Sequence, residues 1–346
     1  MCYKISVIIP CYNSENTIIR AINSVINQTI GFENIELILY DDSSTDSTTD
    51  IIKEYSKKYT NIIGIFSEEN SGFPGRGRNT GIKFSNSDYV MFMDNDDEYD
   101  KEICEILFNE ITQTNSDLVS SSYINIDEVT SKKVQTKSHY GTENNNKIIF
   151  SSENSVYFFN RMIWTCIFKK NIIMENNIFF PEDNLAEDVY FMIYYLLNSK
   201  KVIYLKEYYG LYRHVQKYSL SHSLNLYKIN RLFDIYEEIL DVCKTKQLEC
   251  TYILGDKVSI TLMQLYTSNA INEKNEEVYK LFERLKNLEI EMKYQSDLDI
   301  ILNIPNTLIL KNHFKLTKIY LNFLRKIYSS KLLILIYRKV ISKLNF

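Results

Sequence analysis

With 346 residues, 45% apolar composition and 40 basic against 44 acidic side chains, the chain is long enough for one large domain or two ordinary ones around a real core. The charge is uneven: residues 311–346 hold nine Lys/Arg and no acid, which leaves residues 1–310 at −13 and argues against a broad nucleic-acid-binding surface. Six scattered cysteines without a Cys-x-x-Cys pair exclude an obvious zinc site or disulfide framework and fit a reducing compartment.

The first hundred residues alternate strand and helix. Ile5 to Ile9 is a β-branched run stopped by Pro10, and Ser14 to Gln28 carries Ile18, Ile22, Val25 and Ile26 at helical spacing. Ile35 to Tyr40 reads as a second strand ending in Asp41-Asp42. Ser43-Ser44-Thr45-Asp46 then has the spacing of a capping box for a helix through Ile51, Ile52 and Tyr55. Ile62 to Phe66 is a third strand. The glycine-rich loop from Ser71 to Gly77 precedes a helix predicted to start near Arg78, and a fourth strand begins at Tyr89. This order predicts an α/β fold with a mostly parallel sheet, whose ligands bind beyond the carboxyl ends of the strands. Those ends carry Tyr12-Asn13, Asp41-Asp42 and Asp94-Asn95-Asp96.

Further on, Leu185 to Phe191 places Glu187 and Asp188 at the start of an apolar helix. A helix amino end favours an ionised carboxylate, as a base or simply as a complement to the helix dipole. From about Leu224 the pattern is helical, through Leu232, Ile235 and Ile239, then Ile260, Met263 and Leu265, then Val278, Leu281 and Leu285. A break around Pro305 precedes two short basic helices, Phe314 to Tyr328 and Leu332 to Leu344. Such helices suit either packing with a solvated basic face or contact with an anionic membrane surface. No run has the length of a membrane span, and the amino terminus does not read as a secretory leader, so the expected location is cytoplasmic, with peripheral contact on the inner membrane face.

The run Tyr89 to Met93 opens into Asp94, Asp96 and Asp97. Clustered carboxylates at a strand end suit a hard cation such as Mg²⁺ or Mn²⁺, which takes one or two protein carboxylates and completes its shell with water and phosphate oxygens. Taken with Val7-Ile8-Ile9-Pro10-Cys11-Tyr12-Asn13, Asp41-Asp42-Ser43-Ser44-Thr45-Asp46, Arg78-Asn79-Thr80-Gly81 and Ala186-Glu187-Asp188, this run resembles the family 2 glycosyltransferases. The resemblance extends to about residue 222.

It implies a GT-A fold, a Rossmann-like and mostly parallel sheet flanked by helices, over residues 1–222. A helical region (223–310) and a basic tail (311–346) form an α-helical extension. It also implies site roles. Pro10 and Tyr12 line a base pocket, and Asp42 hydrogen-bonds the base. Arg78 lies near the base or diphosphate, and Asp94 and Asn95 lie near the ribose. Asp96, with Asp94, binds the cation, and Asp188 is the catalytic base. Arg213, in a Tyr-Arg segment similar to one in the family, suits phosphate because a guanidinium forks onto paired oxygens. His214 is a further candidate metal ligand; a structural histidine is the alternative. Trp164 either stacks on a sugar or packs in the core.

The implied activity is inverting, metal-dependent transfer from a nucleotide-sugar, a UDP-sugar above all, to a glycan or lipid-linked acceptor in surface polysaccharide synthesis. Two departures from the family pattern stand out: Ser43-Ser44 where Gly-Ser is commoner, and Cys166 at a usual lysine position. A sugar nucleotidyltransferase would need a glycine-rich loop with an activating lysine near the amino terminus, and Val7 to Glu15 has none. A non-catalytic nucleotide-sugar-binding protein would lack the acidic run or the base.

Overall fold

The computed structural model describes residues 3–128, 130–135, 146–151, 156, 162–184, 186–215, 225–249, 254, 261, 265, 270–292 and 307–329. The chain divides into two compact units, residues 1–217 and 218–346.

The first unit is built on a ten-stranded sheet. Strand β1 (Ile5–Cys11) pairs in parallel with β2 (Ile35–Asp41) on one side and β4 (Tyr89–Phe92) on the other, and β3 (Ile62–Phe66) continues the parallel set beyond β2. Every residue of β1 and β2 is buried, which is why both read as unbroken apolar runs with no alternation. The helices α1 (Ile18–Ile26), α2 (Thr48–Lys58) and α3 (Gly75–Phe84) connect these strands. In α1 the buried side chains Ile18, Ala21, Ile22 and Val25 recur at helical spacing and form its core face.

Two helix starts differ from expectation. Helix α2 begins at Thr48, and Asp46 Oδ1 accepts from the Thr48 amide at 3.0 Å, so the capping acid lies closer to the helix than a capping box places it. Helix α3 begins at Gly75, three residues before Arg78, because Pro74 already has helical dihedrals.

Beyond β4 the sheet is mixed. The order is β3-β2-β1-β4-β9-β6-β10-β5, with β7 (Lys133–Gln135) on β6 and β8 (Lys147–Ser151) on β10. Strand β9 (Cys166–Lys169) runs antiparallel between β4 and β6 (Leu118–Asp127). The fifteen-residue β10 (Lys201–Val215) lies parallel to β6 and antiparallel to β5 (Glu98–Tyr99) and β8. Helix α4 (Ile103–Thr114) feeds β6, and the one-turn-and-a-half α5 (Lys170–Glu175) follows β9. Helix α6 (Glu187–Leu197) is anchored by an aromatic core. Phe191 stacks on Phe180 at 4.0 Å and meets Phe92 and Phe168 edge-on, so the start of α6 is held against β4 and β9.

The described part of the second unit is helical: α7 (Leu226–Thr245), α8 (Asn275–Met292) and α9 (Phe314–Ser329). Arg284 on α8 donates to Asp234 and Glu237 on α7 and lies over Phe233, joining the two helices. Ile260, Met263, the break around Pro305 and the segment Leu332 to Leu344 lie outside the described residues.

Helix α3 crosses β1 at close range. A Cβ on Gly81 would lie 2.3 Å from Ile8 Cγ2, inside a fully buried strand. Gly81→Ala gains helix propensity of about 1 kcal/mol. The overpacking of β1 is expected to outweigh it and lower stability by about 1–3 kcal/mol. Chemical denaturation of the two proteins checks this, and an Ala variant as stable as the parent contradicts the close packing.

Candidate active site

The parallel register sets the ends of three strands level: Cys11 stands opposite Asp41, and Asp41 opposite Phe66. The residues that follow therefore emerge at one edge. The Tyr12 ring is 47% exposed there, leaving a face for a planar ligand. Asn13, at φ +46°, accepts from the Thr45 amide through Oδ1, and its own amide donates to Ser44 Oγ, stitching the β1 and β2 exits together. Ser43 sits at φ +62°, the left-handed region that glycine enters without cost. That explains why a glycine suits this position, and this chain meets the same turn with serine.

Asp42 is buried in the turn. Its Oδ2 accepts from the Ser71 amide (2.9 Å) and hydroxyl (2.8 Å), so the glycine-rich loop closes on it. Its Oδ1 has no hydrogen-bond partner among the described residues. Pro10 is buried in β1, and its carbonyl accepts from Asn95 Nδ2 at 2.9 Å, drawing the acidic loop against the β1 exit.

Arg78 is the centre of the site. Only 4% exposed, it donates from Nη2 to Asp94 Oδ1 and from Nη1 to Glu187 Oε1, both at 2.7 Å, with its guanidinium 5.4 Å over the Phe180 ring. Burial works against its charge, but Asp94, Glu187 and Asp188 outweigh burial and bind its proton more firmly than usual. Burial, with Asp188 beside it, pushes the Glu187 carboxyl up to about 7 against the pull of Arg78. Asp188 is half-buried at the same helix start, and its Oδ1 accepts from the Val189 amide at 2.7 Å.

In the acidic loop, burial and the neighbouring Asp94 raise Asp96 to about 6. Asp97 is buried and also held up, by desolvation and by Asp94 and Asp96, and its Oδ1 accepts from the His214 amide at 3.0 Å. The His214 imidazole faces acids: Nδ1 lies 2.6 Å from Glu128 and Nε2 3.6 Å from Glu98. Arg213 is exposed at the end of β10, over the Trp164 ring at 5.8 Å. Trp164 itself is 6% exposed and packs edge-on against Tyr123, so its larger contribution is to the core. Cys166 is buried in β9, its thiol raised to about 12 by desolvation, and it directs no charge to the site.

The structure thus gathers Pro10, Tyr12, Asp42, Arg78, Asp94 and Asn95 along one sheet edge, with Asp96 beside them. Glu187 joins through Arg78, with Asp188 next to it. Sequence reasoning did not find the Arg78–Glu187 pair. No sequence spacing marks it, because 109 residues separate the two.

The profile of glycosyl transferase family 2 matches residues 6–171. The poly(ribitol-phosphate) beta-N-acetylglucosaminyltransferase TarP of Staphylococcus aureus is 32% identical over 271 residues, covering 75% of this chain and 80% of TarP.

The chain belongs to glycosyl transferase family 2.

It is a glycosyltransferase, and its fold is that of the GT-A members of the family. A poly(ribitol-phosphate) beta-glucosyltransferase of Bacillus spizizenii is 30% identical over 295 residues; the match spans 84% of this chain but 42% of that longer protein. The solved structure of S. aureus TarS 1–349 in complex with UDP superposes with a TM-score of 0.67 at 22% identity, covering 93% of this chain and 91% of that one. At that identity the likeness concerns the fold.

Removing the central cation should expose how this family 2 enzyme holds its site together. Arg78→Met leaves buried Glu187 without its counter-charge and is expected to cost about 3 kcal/mol of stability, the scale for breaking a buried ion pair. Glu187→Gln added to Arg78→Met should recover part of the loss by removing the orphaned charge. Denaturant titration of the single and double variants checks the coupling; additive losses would contradict it.

Proposed function

We propose that this glycosyltransferase transfers a sugar from a nucleotide diphosphate donor, a UDP-sugar, to a hydroxyl of a cell-surface glycan acceptor of the poly(ribitol phosphate) kind, with inversion at the anomeric carbon. The observation that carries the reading is the convergence of Asp42, Arg78, Asp94, Asp96 and Asp188 on the carboxyl edge of the parallel strands. The named activities of the relatives and the UDP in the TarS structure support the donor and acceptor classes.

Asp42 holds the base through its unpartnered Oδ1, and the exposed Tyr12 ring stacks on it. Arg78 orients Asp94 toward the ribose side, and exposed Arg213 meets phosphate oxygens. Asp188 accepts the proton of the acceptor hydroxyl as its oxygen bonds to the anomeric carbon. The bond to the diphosphate breaks, and the diphosphate leaves with the electron pair. Between the two acids of the pair, the structure favours Asp188 as base, because Glu187 is buried and bonded to Arg78.

Asp96 and Asp94 would hold a Mg²⁺ or Mn²⁺ ion, which stabilises the charge developing on the diphosphate. The residues fit it. Burial, with the Asp94 charge nearby, raises the Asp96 carboxyl, and a bound cation would favour its ionised form. Mg²⁺ needs only one or two protein carboxylates, with water and phosphate oxygens completing its shell. His214, with its Nδ1 toward Glu128, is a further candidate ligand beside Asp96 and Asp94.

In a UDP-sugar screen, EDTA should abolish turnover and Mn²⁺ or Mg²⁺ restore it. Asp96→Ala should lose metal-dependent UDP binding without a change in thermal unfolding. Asp188→Asn should lower transfer by about 10²–10⁴-fold, the range of general-base catalysis, at unchanged donor affinity. Normal turnover by Asp188→Asn beside a dead Glu187→Gln would transfer the base role to Glu187.

A membrane contact through the basic tail belongs to the same reading, because a surface-glycan acceptor is assembled at the membrane. On α9, Leu316, Ile319 and Phe323 are all more than half exposed and share one face, with Lys315 beside them. Buried Leu321 and Leu324 lie on the opposite face. No helix among the described residues is long and apolar enough to cross a membrane. The full chain is expected to co-sediment with phosphatidylglycerol vesicles at low salt and release at high salt. Leu316→Asp with Phe323→Asp should weaken that binding. Equal binding to neutral phosphatidylcholine vesicles, or none to either, would remove the tail from this role.

A further inference from the structure

The acidic loop Asp94–Asp97 is held residue by residue, and three of its four anchors already have a place in the site. Arg78 donates to Asp94, Asn95 Nδ2 donates to the Pro10 carbonyl, and the His214 amide donates to Asp97. The fourth anchor comes from α1. Arg20 Nη2 donates to the backbone carbonyl of Asp96 at 2.7 Å, and the same nitrogen lies 3.0 Å from Glu128 Oε1. Glu128, just past the end of β6, places Oε1 2.6 Å from His214 Nδ1, which leads back to Asp97 through the His214 amide. The contacts close a ring: Arg20, Asp96 carbonyl, Asp97, His214, Glu128, Arg20.

The ring fastens Asp96 by its main chain alone. No side chain donates to the Asp96 carboxylate among the described residues. A charged donor on a backbone carbonyl is a strong, directional anchor, and it leaves the carboxylate, which accepts from the Asp96 amide, open toward a ligand. An arginine in the same place but turned to the Asp96 carboxylate would compete with that ligand. We propose that Arg20 and Glu128 are positioning residues of the transfer site, which orient the Asp96 carboxylate toward the donor diphosphate and its cation by fixing the Asp96 main chain. The proposal rests on the reading of Asp96 given above.

The ring spans four separate segments, so its loss should show as disorder in ligand placement, not as unfolding. Glu128 is solvent-accessible, and an exposed ion pair adds little to global stability. Residues that orient a metal-binding group typically carry 10- to 100-fold in metal affinity.

Calorimetry of UDP with and without Mn²⁺ on the full chain tests this. Arg20→Met should weaken Mn²⁺-dependent UDP binding by about 10-fold or more. UDP affinity in EDTA and the thermal transition should stay as in the parent. Arg20→Lys, which restores one donor, should recover part of the loss. Glu128→Gln should show a smaller loss in the same direction, and the double variant Arg20→Met, Glu128→Gln should be no worse than Arg20→Met alone. Parent-like Mn²⁺-dependent binding by Arg20→Met overturns the proposal. An equal loss in EDTA also overturns it, because Arg20 would then contact the nucleotide or support the fold generally. A parent chain that binds UDP identically with and without Mn²⁺ sinks the Asp96 reading and this inference together, whereas intact metal dependence in both parent and Arg20→Met sinks this inference alone.

Discussion

The site depends on one buried cation. Arg78 lies between the acidic loop after β4 and the start of α6, and it bonds to both. Its two carboxylate partners are not equivalent. Glu187 is almost as buried as Arg78, so each would be costly in the interior without the other. Asp94 is more than a third exposed, so its bond to Arg78 serves orientation more than stability. One guanidinium thus anchors α6 with one arm and holds the acidic loop after β4 with the other. Lysine, with a single point of charge, cannot fork between them.

The rest of the first unit can be read as support for that arrangement. The parallel strands β1, β2 and β3 end level, and β4 stops opposite Ile8, so residues from distant parts of the chain meet at this edge. The aromatic cluster of Phe92, Phe168, Phe180 and Phe191 holds α6 so that Glu187 reaches Arg78, and Phe180 also lies under the guanidinium. The left-handed residues Asn13 and Ser43 turn the chain sharply at the strand exits, and side-chain hydrogen bonds across those exits offset the strain. Rigidity here has a chemical use: preorganised groups need no rearrangement as charge develops on a leaving group.

Much of this was legible beforehand. Unbroken apolar runs announced the buried parallel strands, and Ile62 to Phe66 matches β3 at both ends. The acids that follow those runs marked a candidate ligand edge, because polar residues after three successive strands carry more weight together than an acidic turn does alone. The mixed half of the sheet was not legible. Strand β10 is rich in tyrosine, carries a glycine and register shifts between Leu205 and Leu211, and shows no clean alternation. Strand β9 is four residues long and reverses direction between β4 and β6. Short, irregular edge-to-edge pairing has no local period to read.

The sequence by itself determined the strand–helix order of the first hundred residues, the position of the acidic motifs and the glycosyltransferase family, because these reside in local spacing and residue type. Tertiary structure alone decided which acids share a cation, which carboxyl groups are pushed up in pKa, and that Arg20 holds Asp96 by its main chain. Those facts depend on burial and on contacts between residues 16 to 109 positions apart. Neither desolvation nor long-range pairing leaves a periodic mark in the chain, since both arise only when separate segments are packed together and water is excluded from between them.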